Sequence, residues 1–158
     1  MLDRRRFLSI LGATGVIMAT GPAFAQAALP KVVVTKDPNC GCCGGWVDHM
    51  KAAGFPVEVV TTPQVNRVKA RLGVPDDLAS CHTAEVGGYV IEGHVPADAI
   101  KRLLAEKPSA KGLAVPGMPV GSPGMEVDGM APDTYEVVLF GPSGQRTFER
   151  LRGAARVG

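Results

Sequence analysis

Charge of one sign, long apolar runs and the common hydrolytic or phosphate-binding signatures are all missing from this chain. Beyond residue 25 no stretch approaches the about 20 apolar residues that a membrane span requires. Three of the 17 basic residues (Arg4, Arg5, Arg6) and one of the 15 acidic residues (Asp3) fall within residues 1–25, which leaves 14 of each beyond it. A neutral chain offers no electrostatic footprint for nucleic acid or an anionic membrane. The carboxylates are dispersed, with neither a Ser-His-Asp set nor a phosphate-binding loop, so hydrolase and kinase readings have no support. No internal repeat or interdomain linker breaks the rest, and residues 30–152 read as one domain with an adequate core.

The first 25 residues read as an export signal. Arg4-Arg5-Arg6-Phe7-Leu8 precedes a modest apolar region and ends at Ala23-Phe24-Ala25, an A-x-A cleavage pattern. The R-R-x-F-L arrangement is similar to a twin-arginine address. The apolar region is interrupted by Gly and Thr, which argues against a retained anchor. The mature product is therefore expected in the periplasm and not embedded in the membrane.

Along the remainder, apolar and turn-forming residues alternate. Lys31–Thr35 and Pro56–Val60 read as strands, as does the segment through Tyr89–Ile91. Helices are expected over Cys42–Ala53, stopped by Gly54, over Gln64–Leu72, stopped by Gly73, and over Ala97–Glu106. Trp46 and Met50, four apart, give the first helix a core face, and Gly44-Gly45 leave room for a close approach. Residues 112–133, rich in Gly, Pro and Met, read as an ordered loop, followed by a strand over Tyr135–Phe140 and a turn into a shorter pairing at Gln145–Phe148. This alternation predicts an α/β fold, a central sheet with helices on its faces.

What the chain does have is thiol. Cys40, Cys42 and Cys43 lie within four residues at a strand-to-helix junction, and Cys81 follows Ser80. A helix N-terminus favours anions, and closely packed thiolates need a cation, which suits a soft metal such as Cu(I) or Zn(II). In an oxidising compartment four cysteines can instead form disulfides. Consecutive Cys42 and Cys43 are too close to bridge without strain, while a Cys40–Cys43 bridge is feasible and leaves Cys42 and Cys81 paired or free. Cys40 and Cys43 form the Cys-x-x-Cys of a thioredoxin-like junction, but Cys42 adds a third thiol that a simple dithiol oxidoreductase does not need. Zinc ribbons pair two Cys-x-x-Cys hairpins, and Cys81 has no such partner, which tips the metal to copper.

Met118 and Met125, held between Pro and Gly, are candidate thioether ligands, although Met also fills gaps beneath loops. Met130 is a weaker candidate, and Met50 reads as core. His82 and His94 are candidate imidazole ligands, against the plainer reading of hydrogen-bonded structural histidines. His49 lies about 10.5 Å along the helix from Cys42, too far to share one metal, and reads as a surface residue. Trp46 reads as a cover over the cysteine loop.

Cys40-Gly-Cys-Cys-Gly-Gly-Trp46, Ser80-Cys-His-Thr-Ala84, Gly88-Tyr-Val-Ile-Glu-Gly-His-Val-Pro96, Gly112-Leu-Ala-Val-Pro-Gly-Met-Pro119 and Gly121-Ser-Pro-Gly-Met125 stand in order over residues 31–140. Together they resemble the exported metal-binding family typified by the copper-resistance protein CopG, which is unrelated to the DNA-binding repressor of that name. The resemblance implies a thioredoxin-like fold, a periplasmic location and copper held by Cys40, Cys42, Cys43 and Cys81. Its motifs also contain Met118, Met125, His82 and His94. The function it implies is Cu(I) sequestration in copper tolerance in a four-cysteine site, either mononuclear or multinuclear. Copper redox cycling and transfer to a periplasmic copper-export protein are further expectations. The enzymatic alternative is a thiol–disulfide oxidoreductase using Cys40 and Cys43.

Overall fold

The computed structural model describes residues 28–158, so the expected export signal lies outside the described residues. In chain order the elements are β1 (Val32–Lys36), α1 (Cys42–Ala52), β2 (Val57–Thr61), α2 (Val65–Leu72), a single 3₁₀ turn (Asp76–Leu78), β3 (His82–Val86), β4 (Tyr89–Glu92), α3 (Ala97–Glu106), β5 (Gly112–Ala114), β6 (Thr134–Gly141), β7 (Gly144–Arg152) and β8 (Ala155–Arg156). The eight strands form one mixed sheet ordered β2-β1-β3-β4-β5-β6-β7-β8. The pairs β1–β2 and β4–β5 are parallel and are connected through α1 and α3; the other neighbours are antiparallel.

The sheet is covered on both sides. Val32, Val34, Ala84, Val86 and Ile91 meet Trp46, Val47 and Met50 of α1 and Ile100 and Leu103 of α3 in the larger core. Val90 points the other way, into a smaller cluster with Val74, Leu78, Ala114 and Phe140. Adjacent Val90 and Ile91 can both be buried because successive strand residues face opposite sides of the sheet.

The α/β expectation and all three helices hold to within a residue or two. Two internal strands went unrecognised: His82–Val86, in a segment read for its chemistry, is β3 and sits between β1 and β4, and Gly112–Ala114, read as the start of the ordered loop, is β5 and sits between β4 and β6. The pairing expected at Gln145–Phe148 extends over Gly144–Arg152 and is followed by β8. These additions lengthen the sheet, so it is mixed and longer than a simple alternation suggests.

The loop after β5 is ordered by its own backbone. Met125 N–H donates to Ser122 O at 2.8 Å, and Gly121 N–H donates to Met125 O at 2.8 Å. Val120 and Asp133 tie the two ends together: Asp133 N–H reaches Val120 O at 2.9 Å, and Val120 N–H reaches the Asp133 carboxylate at 2.9 Å. The loop lies directly on the first turn of α1. A Cβ on Gly45 would stand 2.9 Å from Gly124 Cα, and one on Gly124 would stand 2.5 Å from Trp46 N. The room expected at Gly44-Gly45 is therefore used by Gly45, whereas Gly44 faces open space.

Gly124→Ala, which also has φ of +84°, is expected to cost about 1–3 kcal/mol of stability through backbone overpacking. Gly44→Ala should be neutral or stabilising by up to about 1 kcal/mol. Urea-unfolding midpoints of the two variants check this contrast, and equal midpoints would contradict the contact.

Candidate metal centre

Antiparallel pairing of β3 with β1 sets Lys36 opposite His82. The residue before β3, Cys81, is thereby delivered to the end of β1, where the cysteine loop begins. Cys42 is the first residue of α1; Gly41 ahead of it supplies no side-chain cap and the first turn holds no acidic residue, so the positive end of the helix is left to the cysteine loop. Cys42 Sγ lies 3.6 Å from Cys40 Sγ and 3.8 Å from Cys81 Sγ. The cysteine sulfurs of residues 40, 42, 43 and 81 all fall within 4.8 Å of one another.

Cys40 and Cys43 are joined by a disulfide, while Cys42 and Cys81 are thiols. This is the feasible bridge recognised from spacing. It means that two of the four expected thiolate donors are tied up in this state, and a four-thiolate site requires that bond to be reduced.

Two imidazoles extend the cluster. His94 Nε2 is 3.0 Å and His82 Nδ1 is 3.2 Å from Cys81 Sγ, and the three ligand atoms again lie within 4.8 Å of one another. His94 Nδ1 stands 2.8 Å from the Pro123 carbonyl, which can only accept, so Nδ1 carries the proton and Nε2 turns a lone pair to the sulfur. His82 is fully buried, packed at 4.5 Å between ring centroids against Trp46, and its Nε2 has no hydrogen-bond partner. A buried ring nitrogen without a partner is costly in a purely structural histidine.

Met118 adds a thioether 4.0 Å from Cys42 Sγ and is 53% exposed, so it forms the outer lip of the site. Met125 takes part through its backbone turn; among the described residues it is Met118 whose sulfur meets Cys42. Met130 is exposed and Met50 is core, as read.

Burial, reinforced by the neighbouring Cys42 sulfur, pushes the Cys81 thiol up to about 12. Without a metal Cys81 is therefore a protonated thiol that can donate to a ring nitrogen. Burial also holds His82 down to about 3, helped by His94, Lys69 and Lys36, and burial lowers His94 as well. Neutral imidazoles and a thiol whose proton a cation must displace are suited to metal uptake. A set of thiol, thioether and imidazole donors with no carboxylate among them fits a soft ion and not Mg²⁺ or Ca²⁺.

Several supporting residues were not visible from the sequence. Trp46 does cover the loop, and it also donates Nε1–H to Val95 O at 2.9 Å. His49, read as a surface residue, is half-buried, and its Nε2 accepts Ala97 N–H at 3.0 Å, which caps the start of α3. Trp46 and His49, three apart on α1, thus pin both sides of Pro96, just after His94. Glu92, the last residue of β4, is fully buried and paired with Lys69. The one available signal was Lys69 itself, four residues from Val65 and so on the buried side of α2.

A family model described as "Protein of unknown function, DUF411" matches residues 78–125, the stretch that carries Cys81, His82, His94, Met118 and Met125. Two solved structures are similar over nearly their whole length: "Copper resistance protein copG- Form 2", at 44% identity and a TM-score of 0.73, over 78% of this chain and 98% of that one, and "Copper resistance protein copG- Form 1", at 44% identity and a TM-score of 0.73, over 79% and 99%. No curated protein matches the chain significantly.

Burial holds His49, His82 and His94 below the ordinary imidazole value, so each is neutral when folded and binds a proton more readily when unfolded. The contribution of these three imidazoles to the stability of the metal-free protein should be complete above about pH 6.5, the unfolded imidazole value. It should be lost as pH falls below that, and the loss should continue towards the folded value of His82. Urea unfolding of metal-free protein from about pH 8 to pH 5 checks this; a midpoint that stays flat or rises towards acid would contradict it.

Proposed function

The chain belongs to the family of the copper-resistance protein CopG, and on that premise we propose that it is a periplasmic copper-binding protein that sequesters Cu(I) in copper resistance. The observation that carries this reading is the position of Cys81. Its sulfur belongs both to the four-cysteine group and to the Cys81–His82–His94 group. A thiolate shared in this way can bridge two ions, which supports a multinuclear site. Cys40, Cys42, Cys43 and Cys81 would be the thiolate donors, His82 and His94 the imidazole donors, and Met118 the thioether at the mouth. Met125 supports the loop that carries them.

Uptake has a redox requirement. An external dithiol supplies two electrons to the Cys40–Cys43 bond, leaves as a disulfide, and frees two thiols at the start of α1. Cu(I) then displaces the remaining thiol protons, and the roof formed by Met118 and the 119–125 turn limits its contact with solvent and oxygen. Soft anionic sulfur favours Cu(I) over Cu(II), so an ion that lost one electron to an external oxidant would be held less tightly and could pass to an export partner.

The strand order β2-β1-β3-β4, with β1 and β2 parallel and a Cys-x-x-Cys at the β1–α1 junction, supports a thioredoxin-like reading of the amino-terminal half. The basic, apolar and A-x-A pattern of residues 1–25 supports export. Among the described residues no helix is long and apolar enough to cross a membrane. The Cys40–Cys43 bridge favours one second reading, a thiol–disulfide oxidoreductase, in which Cys40 is attacked and the buried Cys43 departs.

Anaerobic Cu(I) titration of the reduced protein, followed by native mass spectrometry, should give more than one copper per chain. Cys42→Ser and Cys81→Ser should each lower affinity by more than the roughly 10–100-fold that follows from disturbing groups that merely support ligands. Absence of bound copper, or undiminished binding in a Cys42→Ser/Cys81→Ser variant, would overturn the reading. Steady insulin reduction by metal-free protein would favour the oxidoreductase.

A further inference from the structure

Beside the cysteine site lies a charge pair that copper binding as described does not use. Lys69 of α2 and Glu92 of β4 are 5% and 0% exposed and form an ion pair. Burying two charges is costly even when they are paired, and a well-packed apolar pair in their place is often as stable or more stable. Stability alone is therefore a poor reason for charges here.

An apolar pair could not hold a backbone N–H. Glu92 Oε1, which takes the Lys69 ammonium, also accepts the N–H of Ser80 at 2.6 Å. Ser80 in turn donates its hydroxyl to the carbonyl of Gly117. Ser80 immediately precedes Cys81, and Gly117 immediately precedes Met118. One residue is thus anchored by the buried charges and clasps the loop that roofs the site. Space for it is left by Gly93, where a Cβ would stand 2.5 Å from Ser80 Oγ and 2.6 Å from Val115 O.

We propose that Lys69, Glu92 and Ser80 are positioning residues that hold the Cys81 thiol and the Met118 thioether at a fixed separation for the metal. This rests on the copper-binding reading. None of the three touches the ion. Their work is to join two segments, the approach to β3 and the loop after β5, that would otherwise shift independently and have to be ordered each time copper binds. Loss of such support typically costs 10–100-fold in metal affinity.

Two variants separate positioning from folding. Ser80→Ala removes the hydroxyl and keeps the N–H donated to Glu92; Lys69→Met/Glu92→Leu removes both charges and keeps bulk. Each is compared with the wild type for metal-free unfolding midpoint, copper number by native mass spectrometry, ultraviolet thiolate-to-copper absorption, and the rate of Cu(I) loss to an excess of a bathocuproine chelator. Ser80→Ala is expected to keep the unfolding midpoint and release Cu(I) about 10–100 times faster with an altered absorption band. The double variant should release it at least as fast; should that variant not fold, Ser80→Ala decides alone. Release at the wild-type rate with an unchanged band overturns the proposal. So does faster release matched by an equal loss of metal-free stability, which assigns Ser80 to folding. Wild-type protein that takes up no copper overturns the copper reading itself, before either variant is compared.

Discussion

The register of β1 against β3 is the constraint on which the rest depends. Val32 opposes Val86, Val34 opposes Ala84 and Lys36 opposes His82. Because the strands are antiparallel, the start of β3 lies at the end of β1, and Cys81 meets the loop that holds the other three cysteines. Sliding β3 by one residue would turn His82 from the Trp46 side to the α2 side and carry Cys81 out of reach. Burial of Val32, Val34, Ala84 and Val86 prevents that, each fully buried valine contributing roughly 1.5–3 kcal/mol.

Around this register the packing produces reactivity by excluding water. Trp46 lies over His82 and is held by the Val95 carbonyl, and the Pro123 carbonyl orients His94. The close Gly45–Gly124 approach lets the 119–125 turn sit on the first turn of α1. Dehydration has opposite consequences for the two ligand types: it favours the protonated thiol at Cys81 and the unprotonated ring at His82. A soft cation would satisfy both by replacing the thiol proton and occupying ring lone pairs. The Cys40–Cys43 bridge adds a second condition, since the remaining sulfur donors exist only after two electrons have been supplied.

Much of this was legible in the residues. Regular elements with strong periodicity or a glycine stop, such as α1 ending before Gly54 and α2 before Gly73, could be placed closely. The four cysteines, His82, His94 and Met118 could be picked out as candidate donors from residue type and spacing, and the fold brings them close together. β3 was hidden because His82–Val86 is short and follows directly on Cys81, so the stretch read as part of the site when no partner strand was in view. His49 was misread because helical distance from Cys42 says nothing about the start of α3, which lies against it. Met125 was a candidate for its Pro and Gly flanks, and in the fold its backbone N–H and carbonyl shape the 121–125 turn.

Local chemistry in the amino-acid order determined the α/β class, the helix ends, the thiol-rich junction and the preference for a soft metal, because propensity, periodicity and donor type are properties of residues and their near neighbours. Only tertiary structure decided that Cys81 is shared by two donor groups, that Cys40 pairs with Cys43, and that Lys69 and Glu92 are buried together and anchor Ser80. Those facts depend on distances between segments up to 41 residues apart in sequence (Cys40 to Cys81). Such distances are set by strand register and burial, which no local pattern encodes.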